Sequence, residues 1–158
     1  MEYLFLRRKN TTATSERQKR LLFKAAEQQW VERFADGGTV GRKVDCHIYR
    51  NLLYQLEIRQ VFLDTKLSLK GLSELIETNQ TYLSNAVNRY FGCNLKELVN
   101  SYRVEYAKEL LRSGKCTLEE MPQCCGFASK SVFYAAFGKL AGETPLHYQQ
   151  HERRKRNS

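Results

Sequence analysis

The stretch TLEEMPQCCGFASKSVFYAAFGKLAGETPLHY (residues 117–148) repeats, in outline, the stretch SLKGLSELIETNQTYLSNAVNRYFGCNLKEL (68–98). Leu69 aligns with Leu118 and Ile76 with Cys125. After one extra residue at the turn, Leu83 aligns with Phe133, Ala86 with Ala136, Val87 with Phe137 and Gly92 with Gly142. Each copy opens on a hydroxyl residue fit to cap a helix, Ser68 or Thr117, and Glu120 completes a capping box with Thr117. Each then predicts a short helix, a tight turn and a second helix whose apolar residues fall on one face. That is the layout of a helix-turn-helix, in which the second helix can lie in a DNA major groove. One such pattern specifies little; two in one chain specify much more.

The second copy carries an unusual interior. A helix is expected from Leu118 to about Cys125, yet Pro122 lacks the N–H that would bond to Leu118. Adjacent helical residues point about 100° apart, so one of Cys124 and Cys125 faces inward and the other outward. The alignment with Ile76 gives the core position to Cys125. Gly126 is expected to make the turn.

Working outward, NLKELVNSYRVEYAKELLRSG predicts a long helix over 95–112, with Leu95, Leu98, Val99, Tyr102, Tyr106 and Leu110 on one stripe and Gly114 as its stop. Upstream, HIYRNLLYQLEIRQVFLD predicts a helix with Ile48, Leu52, Leu53 and Leu56 inward. Residues 15–34 form an amphipathic helix with Leu22, Ala26, Trp30 and Phe34 on one face, and ADGGTVGRKVD (35–45) breaks it into a linker. Pro145 starts a last helix, PLHYQQHERR, and HERRKRNS (151–158) reads as a disordered basic tail. With two prolines, nine glycines and no alternating apolar runs, the fold is all-α.

The 158 residues make one domain with a short extension, and a net charge of +9 with a pI near 9.4 favours nucleic acid or an anionic surface as partner. Five cysteines without a secretory signal indicate a reducing, cytoplasmic setting. The opening MEYLFLRRKNTT is too short to span a bilayer, although it resembles the cytoplasmic stump of a membrane helix followed by a positive cluster. A membrane-anchored sensor therefore stays open as the source of the chain. No Gly-rich phosphate loop, HExxH motif or nucleophile elbow is present, so an enzyme is not expected. His47, His147 and His151 read as scattered, without a carboxylate or cysteine at ligand spacing. Cys124-Cys125 is not a C-x-x-C pair. No metal, cofactor or small-molecule site is expected.

At GFASKSVFYAAFGKLAGETPLHY (126–148) the sequence resembles the AraC/XylS family of bacterial transcription regulators. Gly126, Phe127, Ser129, Ser131, Phe133, Phe137, Gly142, Thr144, Pro145 and Tyr148 match that family's signature, and TNQTYLSNAVNRYFG and LVNSYRVEYAKELL are similar to its first helix-turn-helix and linker helix. The resemblance implies a seven-helix DNA-binding domain over 47–150, preceded by the N-terminal helix and linker (1–46) and followed by the tail (151–158). Its two helix-turn-helix units, at about 68–92 and 117–142, are joined by the linker helix and place two recognition helices in successive major grooves of double-stranded DNA. RNA polymerase is the further partner such a regulator implies, and the 15–34 helix offers a surface for pairing with itself or another protein.

On this reading the base-facing residues are Gln80, Thr81, Ser84 and Asn85 in the first unit and Lys130, Ser131 and Tyr134 in the second. Asn79 and Ser129, at helix N-termini, together with Arg89 and Lys139, are candidates for phosphate contacts. Arg103 matches a family position, with a local ion pair as its plain alternative. The sequence also departs from the family. Ala135, Ala136 and Gly138 stand where polar or basic residues are common, Glu77 where glycine is usual, and Pro122 where a small residue is usual. The first unit is therefore expected to dominate sequence reading, and the second to act mainly through the DNA backbone. A degenerate helix-turn-helix module that binds a protein partner is the competing class.

Overall fold

The computed structural model describes residues 16–34 and 39–158. Ser15 and the Gly37-Gly38 break lie outside the described residues, as do the side chains of Leu22 and Phe34. The described residues are helical without a strand: α1 (Glu16–Phe34), α2 (Thr39–Leu53), α3 (Leu69–Ile76), α4 (Gln80–Phe91), α5 (Leu95–Ser113), α6 (Met121–Cys124), α7 (Lys130–Ala141) and α8 (Pro145–Arg156). A π-helical turn, Tyr54–Ile58, extends α2, and a 3-10 turn covers Val61–Leu63. Helices α2 to α8 supply the expected seven-helix domain, and α1 precedes it.

The chain divides into two compact units. The first holds the described residues through Val61 together with Ser68–Leu95; the second holds Phe62–Leu67 and Lys96–Ser158.

In the first unit, Ala26 and Trp30 of α1 pack against Tyr49 and Leu53 of α2, with Tyr90 and Phe91 of α4 around them. Tyr49 stacks on Phe91 at 5.6 Å. The inward register of Ile48, Leu52, Leu53 and Leu56 is as expected, each being at most 1% exposed. Helix α2 starts earlier than expected, because residues 39–45 are helical rather than linker. The reason is tertiary. Asp45 accepts hydrogen bonds from Arg89 at 2.8 Å and from the Tyr90 hydroxyl, and Cys46 packs on the aromatic cluster, so the first turns of α2 are held by α4. Glu27 and Arg50 form an ion pair between α1 and α2.

The core of the second unit joins Val104, Ala107 and Leu111 of α5 to Met121, Cys125, Phe127, Phe133 and Phe137. The rings of Phe127 and Phe133 meet edge to face at 5.4 Å, and Phe137 meets Tyr148 of α8 at 5.8 Å. Arg103 holds backbone carbonyls. Its Nε donates to the Phe62 carbonyl at 2.7 Å and its Nη2 to the Asp64 carbonyl at 2.9 Å, while the guanidinium lies over the Phe127 ring. Burial pushes this guanidinium below its ordinary pKa. It therefore ties the 62–64 turn to α5 and to the loop after α6.

Two expectations are corrected here. Helix α6 is shorter than 118–125. Residues 118–120 form a turn, closed by Met121 N–H to the Thr117 carbonyl at 3.0 Å, and Pro122 enters only in the first turn of the regular helix. A proline cannot supply the bond to Leu118, so the helix starts where that bond is not required. The tail is helical rather than disordered. Thr144 caps α8 by accepting from His147 N–H at 3.2 Å, the helix runs on through Arg156, and the Arg156 guanidinium donates to the Arg112 carbonyl of α5.

Candidate nucleic-acid interface

The two helix-turn-helix units are built alike. In the first, Ser68 Oγ accepts from Gly71 N–H at 3.0 Å and starts α3. The helix ends in a Schellman turn: Thr78 N–H reaches the Ser73 carbonyl at 2.9 Å and Glu77 N–H the Glu74 carbonyl at 3.2 Å, with Glu77 left-handed at φ 61°. In the second, Phe127 N–H reaches the Pro122 carbonyl at 2.8 Å and Gly126 N–H the Gln123 carbonyl at 3.1 Å, with Gly126 at φ 87°. A capped helix follows each turn, its N-cap two residues after Glu77 in the first unit and three after Gly126 in the second. Asn79 Oδ1 accepts from Tyr82 N–H at 2.8 Å, and Ser129 Oγ accepts from Val132 N–H at 3.2 Å.

Burial of Leu83, Ala86 and Val87 on one side of α4 fixes what faces outward on the other. Gln80, Thr81 and Asn85 are exposed and Ser84 is half-buried, so the four predicted base-facing residues share one surface of α4. On α7, Phe133 and Phe137 are buried and Lys130, Ser131 and Tyr134 are exposed. The Lys130 ammonium lies 5.9 Å from the Tyr134 ring centroid, within range of a cation–π contact that competes with other partners.

The predicted phosphate contacts separate into two kinds. The side-chain oxygens of Asn79 and Ser129 are taken up as caps. What these termini offer an anion is the N–H groups of the first turn that the caps do not take up, and the positive end of the helix dipole. Arg89 and Lys139 lie in the last turns of α4 and α7. Arg89 is 63% exposed at its side chain but paired with Asp45, so a phosphate would have to share it. Lys139 is exposed.

Sequence reasoning passed over Tyr82 and Val132, which are 55% and 44% exposed. They occupy the same position in the two repeats, the third residue of each recognition helix. An apolar side chain held outward at matching places was the available signal. Tyr82 also lines an open cleft with Val44 and His47 of α2 and residues 77–79.

The outward and inward assignments of the cysteines hold: Cys125 is fully buried and Cys124 exposed. Burial pushes the Cys125 thiol up to about 12. Cys116 and Cys124 face each other with 3.0 Å between sulfurs. The reading of scattered histidines is overturned for His147 and His151, while His47 stands apart beside Ile76. His147 Nδ1 lies 2.6 Å and His151 Nδ1 2.9 Å from one oxygen of Glu143. The three residues stand four apart, a spacing that brings successive helical positions onto one face.

Two capped helix-turn-helix units, each presenting the first turn of its second helix, define a tandem helix-turn-helix domain of the kind found in DNA-binding regulators. The helix-turn-helix domain family matches residues 72–151, just over half of the chain. The melibiose operon regulatory protein of Escherichia coli (strain K12) is 24% identical over 95 residues, which cover 60% of this chain and 32% of that protein. The chain thus spans about a third of that relative's length. Among solved structures, the C-terminal domain of the two-component response regulator yesN from Fusobacterium nucleatum is 28% identical, with a TM-score of 0.56 over 63% of this chain and 96% of that one. The C-terminal domain of AraT, a response regulator from Geobacillus stearothermophilus, shares the fold at 24% identity and a TM-score of 0.55, over 72% and 86% of the two chains. The chain belongs to the AraC-type helix-turn-helix family of transcription regulators. No described helix is long and apolar enough to cross a membrane.

Proposed function

We propose that the chain recognises double-stranded DNA by sequence, with α4 and α7 entering successive major grooves about 34 Å apart, one helical turn. The observation that carries this is the surface of α4: a capped N-terminus and four polar side chains outward, Gln80, Thr81, Ser84 and Asn85, over a buried apolar face. Gln and Asn suit the N6/N7 edge of adenine, and the Thr81 methyl suits thymine. On α7, Lys130 suits guanine, with Ser131 and Tyr134 beside it. Its neighbours Ala135 and Gly138 add no polar side chain, so α7 serves mainly as an anchor to the DNA backbone. Phosphates are met by the helix N-termini at Asn79 and Ser129 and by Arg89 and Lys139. The DNA-binding part extends over α2 to α8, starting near Thr39 rather than His47. RNA polymerase is the partner through which such a regulator acts, and α1 is a surface for self-pairing or for another domain of a longer protein.

Selection of binding sites from random DNA, followed by gel shifts across salt, tests this. Contact with about six phosphates lowers affinity roughly 10³-fold between 50 and 200 mM salt. Gln80→Ala and Asn85→Ala each weaken the selected site by ~1–3 kcal/mol while leaving random DNA nearly unchanged. Recovery of one half-site assigns base reading to α4 alone; two half-sites one turn apart assign it to both helices. No binding at low salt refutes the reading and favours protein docking through Tyr82, Val132 and Tyr134.

A further inference from the structure

Glu143, His147 and His151 converge at the start of α8, and nothing in DNA recognition uses them. Glu143 lies in the turn between Gly142, which ends α7, and Thr144, which caps α8. His147 and His151 follow one and two helical turns on. One oxygen of Glu143 faces the Nδ1 atoms of both rings, at 2.6 and 2.9 Å, and the rings are 4.4 Å apart between centroids. All three ligand atoms lie within 4.8 Å of one another. We propose that these three residues bind a divalent transition-metal ion of the zinc, cobalt and nickel class.

The donor set decides the class. Two imidazole nitrogens and one carboxylate oxygen suit these ions, whereas calcium and magnesium take oxygen ligands. The dimensions fit. Tetrahedral ligands ~2.1 Å from an ion stand ~3.4 Å apart, which lies between the shortest separation here, 2.6 Å, and the 4.8 Å limit. The histidine side chains are 56% and 46% exposed, so they can adjust by that amount without disturbing the core. The exposed side leaves a fourth position for water. The positive end of the α8 dipole opposes a cation, and the carboxylate of Glu143 offsets it. The four basic residues 153–156 lie in the last turn of α8, beyond the ligands. A bound ion fastens the turn after α7 to the second turn of α8, and so stiffens the C-terminal end of the second recognition helix.

The test is a titration of the full chain with Co²⁺, read by its visible d–d absorption, with Zn²⁺ as competitor. One Co²⁺ per chain is expected, displaced by Zn²⁺, without a thiolate charge-transfer band. Changes outside a metal's ligand set already weaken binding by about tenfold or more, so Glu143→Gln and His151→Ala are each expected to lose at least that much. His47→Ala and the double change Cys116→Ser, Cys124→Ser are expected to bind as the parent does. Circular dichroism checks that each variant is folded. Absence of a d–d spectrum at millimolar Co²⁺, binding insensitive to His151→Ala, or a thiolate band lost in the double cysteine variant would each overturn the assignment.

Discussion

Gly126→Ala places a methyl group where the second unit has no room. The added Cβ would lie 2.2 Å from the Phe62 carbonyl oxygen and 2.8 Å from Leu63 Cα. The residue also holds φ +87°, a left-handed conformation that costs an L residue about 1–2 kcal/mol. The Phe62 carbonyl cannot easily withdraw, because it accepts from Arg103 Nε at 2.7 Å, and Arg103 also holds the Asp64 carbonyl. Forced overpacking of this kind adds about 1–3 kcal/mol. The expected loss is therefore about 2–5 kcal/mol, a large part of the ~5–15 kcal/mol that keeps a domain folded. Gly142→Ala supplies the control, since that residue has φ +75° but no heavy atom within 4 Å of an added Cβ. Its loss should be only the conformational part, about 1–2 kcal/mol. Urea unfolding of both variants and the parent, followed by far-UV circular dichroism and compared at a shared m-value, separates the two contributions. Equal losses for Gly126→Ala and Gly142→Ala would refute the steric argument.

Gly138→Ala should raise stability by about 0.5–1 kcal/mol, because Gly138 sits inside α7 and an added Cβ meets no heavy atom within 4 Å; a higher urea midpoint with unchanged m is the readout. Alkaline pH should destabilise the fold through Cys125, whose thiol is raised from 9.0 to about 12 by burial. The unfolded chain releases this proton first, so the stabilisation is complete below 9.0 and declines as pH rises toward 12. Cys125→Ala should flatten that decline between parallel urea series at pH 8 and pH 10.

Much of the fold was legible because its signals are local and doubled. The capping role of Ser68 follows from residue type and position. The inward register of Ile48, Leu52, Leu53 and Leu56 follows from helical spacing in one strongly apolar segment. The start of α2 was not legible, because Gly37-Gly38 is a strong local break whereas the bonds that hold residues 39–45 in a helix come from Arg89 and Tyr90, far along the chain. The helical tail was hidden for a related reason: a run of like charges reads as solvated chain, yet Thr144 and Pro145 launch a helix that ends against α5 through Arg156. In the site, the outward residues of α4 could be read by subtracting its core face. The four-residue spacing of Glu143, His147 and His151 was a signal in the sequence, but Glu143 stands in the turn before α8, where helical spacing alone does not place a side chain.

The departures from the family at Glu77 and Pro122 have a common physical account. Both recognition turns are Schellman turns, and both need a left-handed residue at the same place. What differs is the space around that residue. Glu77 is exposed, so a side chain there adds only the ~1–2 kcal/mol of a left-handed L residue. At Gly126 the backbone of residues 62 and 63 occupies the place of a Cβ, so the second copy requires glycine where the first tolerates glutamate. Pro122 is accommodated by the same economy of local geometry. Its carbonyl accepts from Phe127 and completes the turn, while its missing N–H falls in the first turn of α6, where a helix has no intrahelical acceptor to offer. The substitution shortens α6 without removing the bonds that define the turn. Those bonds, and the cap at Ser129 that follows, are what orient Lys130. The second unit therefore keeps the backbone frame of the first although α7 presents fewer polar side chains, and this supports the proposed role of α7 as an anchor.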